Sequence, residues 1–170
     1  MNTADLFKTP APYHERSYTP TQKLCISGLV MACYIVIMYF TQSFAFMTYQ
    51  VRIATGLYAL AWIHPFLAIP LSLANCLSNM LMGGLGLADV LGGVCVGLVT
   101  TGVIVLIRHL RLPVILCGAA IVLCISLVCS LWLAPLLGVS YGFMVLSLAV
   151  GELIPGIFGV ILIEVLKNRL

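Results

Sequence analysis

The stretch Leu112-Pro-Val-Ile-Leu-Cys-Gly-Ala-Ala-Ile-Val-Leu-Cys-Ile-Ser-Leu-Val-Cys-Ser-Leu-Trp-Leu-Ala-Pro-Leu-Leu-Gly-Val-Ser-Tyr-Gly-Phe-Met-Val-Leu-Ser-Leu-Ala-Val-Gly151 runs for 40 residues without a charge. A bilayer core takes about 20 apolar residues per helix, so this stretch holds two spans. Pro135, Gly138, Ser140 and Gly142 near its middle mark the turn between them. The pattern recurs upstream. Twenty-eight uncharged residues separate Lys23 from Arg52, 36 separate Arg52 from Asp89 and 18 separate Asp89 from Arg108. The chain is 62% hydrophobic and 8% charged, with a mean hydropathy of +1.17. Soluble domains carry about 25% charged residues, so a soluble globular enzyme is excluded. A net charge of +3 without a basic face also excludes nucleic acid as a partner.

Charge placement orients the spans. Seven of the eight basic residues sit in three places: Lys8, Arg16 and Lys23; Arg108 and Arg111; Lys167 and Arg169. The positive-inside rule puts all three in the cytoplasm. The number of spans between Lys23 and Arg108 is then even. Polar or Pro- and Gly-rich breaks at 48–52, 63–70 and 82–89 divide that stretch into four. The expectation is an all-α integral membrane protein, a compact bundle of six transmembrane helices with both termini inside, at about 24–46, 53–66, 68–82, 89–108, 113–133 and 143–166. Residues 1–23, with Pro10, Pro12 and Pro20, read as a cytoplasmic polar tail. Residues 24–167 form the membrane domain, and 168–170 the cytoplasmic C-terminus. The first span ends in aromatics and lacks a small-residue cleavage site, so it reads as uncleaved. The chain is placed as a multi-pass protein of the cytoplasmic membrane.

That topology gathers the polar residues. The turns at 49–52, before Asp89 and around Tyr141 fall outside, and His64 lies by a cytoplasmic turn. Glu152 lies about nine residues into the last span, roughly 14 Å deep at about 1.5 Å per residue. Asn75 and Asn79 lie one helical turn apart on the third span. Gln50, Arg52, Asn75, Asn79, Asp89 and Glu152 therefore point into the outer half of the bundle. Intramembrane ionisable groups are costly and mark sites or pathways, and converging polar groups in an apolar cavity are how small-molecule pockets look. Structural readings stand beside this one. Arg52 and Asp89 can sit in the headgroup region or pair with each other, and Asn75 with Asn79 can be interhelical hydrogen-bond glue. Glu152 is harder to place structurally, because so deep a carboxylate needs a partner, a proton or a ligand. Pro155 removes the partner of the Gly151 carbonyl beside it. Glu164, three residues before Lys167, is expected to snorkel.

Small residues four apart, Gly28 with Ala32, Gly93 with Gly97 and Ser147 with Gly151, permit close helix approach. Gly93 and Gly97 read as internal packing, and Gly28 with Ala32 as either packing or contact with an external helix. Seven cysteines (25, 33, 76, 95, 117, 124, 129) fall in spans with no C-x-x-C pair. No zinc, disulfide or redox site is implied. The only lysines are Lys8, Lys23 and Lys167, so no P-loop exists, and G-x-S-x-G is also absent. No catalysis, cofactor or metal is expected, and the energy for transport would come from an ion gradient or another subunit.

Three motifs carry a resemblance: Gln50-Val51-Arg52-Ile53, then Gly83-Gly84-Leu85-Gly86-Leu87-Ala88-Asp89, then Val150-Gly151-Glu152. In this order and spacing, over about residues 24–167, the chain resembles the QueT family. These are substrate-binding (S) components of energy-coupling-factor (ECF) transporters, associated with uptake of queuosine precursors. The resemblance implies six helices with cytoplasmic termini and an outward-facing binding site. It also implies docking, through small residues of the first helix, onto a transmembrane coupling protein that carries two ATPase subunits. Gly28 and Ala32 occupy the place of that docking motif. The implied ligand is a small heterocycle such as a 7-deazaguanine or queuine. Gln50, Asn75 and Asn79 would meet its pyrimidine edge, and Asp89 or Glu152 an aminomethyl group. Trp62 or Tyr58 would stack on its ring, unless both face lipid. Two positions depart from the family pattern: Thr55 stands where many members carry a carboxylate, and Gly118 where they often carry Asn. The alternative to an S component is a stand-alone proton-coupled small-solute carrier using Glu152.

Overall fold

The computed structural model describes residues 18–45, 50–83 and 86–167. Most of the expected N-terminal tail, the turn residues Thr48 and Tyr49, Gly84 and Leu85 of the glycine-rich turn, and residues 168–170 lie outside them. Six helical segments are present, and no strand occurs among the described residues. Five are long and apolar enough to cross a membrane, and one is shorter.

Helix α1 (Pro20–Ala45) starts four residues before the expected Leu24. The Gln22 amide donates to Thr19 Oγ1 (3.3 Å) and the Thr19 amide donates to Gln22 Oε1 (2.9 Å). With Pro20 at the first helical position, this is a capping box. Lys23 therefore lies inside the helix.

The largest departure is the second segment. An apolar run over 53–66 is long enough to suggest a span, but α2 (Ile53–Ile63) is a 3-10 stretch, Ile53–Ala59, followed by a single α-turn, Leu60–Ile63. At about 2.0 and 1.5 Å per residue it covers roughly 20 Å, short of a hydrocarbon core of about 30 Å. Its end has a local cause. Pro65 disfavours helical geometry at His64, which is extended at φ −129°, ψ 95°. It is one of the six helical segments, but shorter than expected and buried inside the bundle, with Ala54 to Ala59 and Ala61 to Ile63 all inside.

The chain re-enters at Pro65 and forms α3 (Ala68–Ser78), which ends in a π-helical turn, Asn79–Gly83. Helix α4 (Leu87–His109) follows Gly86, whose φ of +85° suits glycine. Helix α5 (Ile115–Leu137) runs four residues past the expected end. It continues through Pro135 until Gly138 adopts the left-handed conformation (φ 67°) that stops it. Helix α6 (Tyr141–Lys167) begins at Ser140, whose hydroxyl accepts from the Phe143 amide at 3.4 Å.

Small residues fix the packing. A Cβ on Gly97 would meet Ser72 at 2.8 Å, so α3 and α4 approach closely there. Gly118 and Gly156 bring α5 onto α6: a Cβ on Gly118 would lie 2.9 Å from the Gly156 carbonyl. Gly56 and Gly159 seat α2 against α6. Helix α1 is peripheral, touching α2 and α3 and burying only Tyr34 and Met38 completely. Leu24, Leu29, Phe40, Leu91, Leu131, Leu146 and Ile157 are exposed. An apolar surface of this extent is what a bilayer covers and water does not. At the other extreme of expectation, Glu164 does not snorkel: it is buried, with Lys167 Nζ at 2.5 Å.

Candidate functional site

Four of the six segments supply the buried polar side chains expected at the site. The junction before α2 supplies Gln50 and Arg52, α2 supplies Thr55, and α3 with its π-turn supplies Asn75 and Asn79. Helix α4 supplies Asp89, and α6 supplies Glu152. All seven residues are buried, Asn75 and Glu152 completely.

The site is built on the π-turn and the glycines facing it. Asn79 opens that turn, which reorients its side chain between two partners. Its Nδ2 donates to the Asp89 carbonyl at 3.0 Å, while its Oδ1 accepts from Arg52 Nη2. One turn earlier, Asn75 Nδ2 donates to the Gly93 carbonyl at 3.0 Å. Gly93 is what admits both amides. A Cβ there would stand 2.7 Å from Asn79 Nδ2 and 3.5 Å from the Asn75 amide. The asparagines therefore do act as interhelical glue between α3 and α4, and Asn79 also holds the guanidinium. Asn75 Oδ1 is buried without a hydrogen-bond partner among the described residues.

Asp89 stands in the first turn of α4, where the helix dipole favours a negative charge. Its Oδ1 accepts from Trp132 Nε1 at 3.3 Å, and the Trp132 ring lies over Gly92. Neither Arg52 nor Asp89 sits at an exposed headgroup position. The guanidinium is bound by Asn79 and lies within electrostatic reach of Asp89.

Glu152 is eleven residues into α6, about 16 Å from its first residue at about 1.5 Å per residue. Its Oε2 lies 2.6 Å from Thr55 Oγ1, which is also 2.6 Å from the Arg52 carbonyl. Glu152 Oε1 is buried with no hydrogen-bond partner among the described residues. Gln50, two residues before Arg52, is buried and has φ +34°, in a region that non-glycine residues rarely occupy.

Two residues escaped the sequence reading. Tyr34 of α1 stacks on Tyr58 of α2, with ring centroids 5.9 Å apart and planes 19° apart. Both rings are fully buried, and neither hydroxyl has a hydrogen-bond partner among the described residues. Trp132, the partner of Asp89, is the other. An aromatic within an apolar helix looks the same whether it faces lipid or the core, and only the tertiary contacts separate the cases. Tyr58 and Trp62 face inward rather than toward lipid. Gly118 is a packing position between α5 and α6 and does not line the cluster. Gly28 and Ala32 lie on the exposed side of α1, and a Cβ on Gly28 would meet nothing within 4 Å. Among the described residues no three His, Cys, Asp or Glu side chains converge as metal ligands would.

A helical bundle with five helices long and apolar enough to cross a membrane, burying an arginine, two carboxyl groups and three amides, fits the class of multi-pass membrane transport proteins. The sequence model described as QueT transporter matches residues 24–168, nearly the whole chain, and the protein belongs to the QueT transporter family. Comparisons with curated proteins and with solved structures give no match.

Proposed function

We propose that this chain is the substrate-binding component of an ATP-driven ECF importer and that it captures a queuosine precursor, a 7-deazaguanine or queuine, from outside the cell. This reading puts both termini in the cytoplasm, supported by the basic residues at Lys8, Arg16, Lys23, Arg108, Arg111, Lys167 and Arg169, which the positive-inside rule favours on that side. The observation that carries the reading is Glu152, a fully buried carboxyl group with one oxygen on Thr55 and the other without a hydrogen-bond partner among the described residues. Such a group is costly unless something binds to it.

Gln50, Asn75 and Asn79 offer the donors and acceptors that a guanine-like edge needs, and the free Asn75 Oδ1 is a ready acceptor. Arg52 is held by Asn79, and Thr55 positions Glu152 and takes the place of the carboxylate that the family resemblance implies. Asp89 or Glu152 receives a positive arm, and Tyr58 gives an aromatic face. The unusual backbone at Gln50 supports its inclusion, because strain of that kind gathers at binding sites. The energy comes from partner ATPases, since this chain has no nucleotide-binding motif. The exposed Gly28–Ala32 face of α1 is where the coupling protein docks.

The test is a thermal-shift screen of the purified chain in detergent, without partners, against deazapurines, purines, pterins and vitamins. A ligand confined to the folded state stabilises by about 4 kcal/mol at a thousandfold excess over Kd. A large shift with a deazaguanine is expected, and a well-folded sample that responds to nothing would overturn the reading. The buried Glu152 also favours a second reading, the stand-alone proton-coupled carrier. That reading requires uptake into liposomes by this chain alone, driven by a pH gradient.

A further inference from the structure

The hydrogen bonding around Thr55 bears on the protonation of Glu152. Thr55 Oγ1 lies 2.6 Å from the Arg52 carbonyl and 2.6 Å from Glu152 Oε2. A threonine hydroxyl has one proton to give. The Arg52 carbonyl is an acceptor only, so if the hydroxyl donates to it, the short contact to Glu152 must be donated by the carboxyl. Both contacts are hydrogen bonds at once only when Glu152 carries a proton, as a chain from Glu152 Oε2–H to Thr55 Oγ1 and from Thr55 Oγ1–H to the Arg52 carbonyl.

Charge balance points the same way. The cluster holds one guanidinium, Arg52, and two carboxyls, Asp89 and Glu152. The titratable and charged groups within electrostatic reach of Glu152 are Arg52 from the segment before α2, Tyr34 from α1 and Cys129 from α5, and Arg52 in turn reaches Asp89 of α4 and Tyr58 of α2; the buried polar residues of α3 and its π-turn are the neutral Asn75 and Asn79. A desolvated cluster is least costly when neutral, so one of the two carboxyls is protonated. Asp89 has what a carboxylate needs: an indole N–H, a place in the first turn of a helix, and Arg52 in reach. Glu152 is completely buried, and one of its oxygens has no donor.

We infer that Glu152 is a neutral carboxylic acid, and that a ligand bearing a primary ammonium group displaces its proton to solvent, so that one cation enters as one proton leaves and the cluster stays neutral. This rests on the binding-component reading and adds to it the proton that Glu152 gives up when a cationic ligand binds. The linkage is an equilibrium property of the isolated chain and needs no pH gradient.

Two experiments test it. The first needs no ligand: infrared spectroscopy of the purified chain at pH 7 should show the carbonyl band of a protonated carboxyl, absent in Glu152→Gln. A wild-type spectrum without that band overturns the inference and leaves the binding function standing. The second is calorimetric titration in two buffers of different ionisation heat, with a 7-deazaguanine bearing an aminomethyl arm and with its neutral hydroxymethyl counterpart. The aminomethyl compound should release about one proton, and its Kd should fall about tenfold per pH unit while free Glu152 stays protonated. The hydroxymethyl compound should release none, and Glu152→Gln should show neither release nor pH dependence with either compound. Tight binding of the aminomethyl compound without proton release from pH 5.5 to 8 overturns the linkage alone. If neither compound binds a well-folded sample, the binding reading itself falls, and the linkage with it.

Discussion

Gly93→Ala tests whether the α3–α4 contact organises the site or merely joins two helices. The added methyl would stand 2.7 Å from Asn79 Nδ2, about 1 Å inside the ordinary carbon contact distance. Asn79 Nδ2 is fixed by the Asp89 carbonyl at 3.0 Å, and its amide oxygen holds Arg52, so it cannot yield without breaking one bond or both. Overpacking of this kind costs about 1–3 kcal/mol. Interhelical hydrogen bonds in membranes contribute about 0.6 kcal/mol each, and bonds to a charged group about 1.5–3 kcal/mol. A loss of about 2 kcal/mol of site organisation is the expected minimum, equivalent to roughly thirtyfold in Kd.

Gly102→Ala is the matched control on the same helix. It is exposed, a Cβ there meets nothing within 4 Å, and replacing glycine in a helix is favourable by up to about 1 kcal/mol. Calorimetric affinity for a deazaguanine and Tm in detergent, measured on both variants, give the contrast. Gly93→Ala should lose affinity and Tm, whereas Gly102→Ala should keep the first and hold or raise the second. If Gly93→Ala binds within twofold of the parent, Arg52 and Asn79 do not hold the ligand, and the reasoning fails.

Thr55→Val keeps the side-chain shape but leaves Glu152 Oε2 without its 2.6 Å partner; it should lower stability by about 1–3 kcal/mol in a detergent melt and weaken binding, with Thr55→Ser restoring both. Gly118→Asn drives a side chain into Val160 and the Gly156 carbonyl, at 2.8 and 2.9 Å from the first added atom. It should destabilise by about 1–3 kcal/mol without altering ligand preference, which a thermal-shift panel would read. Gly28→Leu combined with Ala32→Leu fills an open face, so affinity of the isolated chain should stay within twofold while uptake by cells carrying the coupling subunits is lost.

The bundle was legible because charge is expensive in lipid: the uncharged runs bounded by Lys23, Arg52, Asp89, Arg108 and Arg111 mark out the apolar segments whatever their packing. The same expense made Arg52, Asn79, Asp89 and Glu152 stand out as a set, and the structure buries all four. The facing of the helices was not legible. A helix that is apolar all round carries no stripe to say which side is in. Tyr34 is indistinguishable from Tyr39 in α1 by sequence, yet the first is fully buried and the second exposed. Length was misread where backbone type mattered more than hydropathy. Residues 53–66 are as apolar as a span, but buried neighbours on every side let α2 form a tight 3-10 coil, and Pro65 ends it. The start of α1 was written in the sequence as well: Thr19-Pro20-Thr21-Gln22 is a capping box, set among polar residues that read as tail.

Gly118 and Thr55 show how a departure from a family pattern separates into two kinds once the neighbours are known. An asparagine at 118 would have to pass through the Gly156 carbonyl, so glycine there is tied to the close approach of α5 and α6 and says nothing of the ligand. Thr55 faces Glu152 directly. A carboxylate at that position would set two acidic groups within hydrogen-bonding distance in a desolvated cluster, and one of them would keep a proton. The hydroxyl takes over the role of that proton's partner at lower electrostatic cost. Position 55, rather than position 118, is therefore where this chain's ligand preference would part from that of relatives carrying a carboxylate there. The two substitutions make the distinction measurable, since Thr55→Glu should change which ring substituent is preferred, whereas Gly118→Asn should change only how well the chain folds.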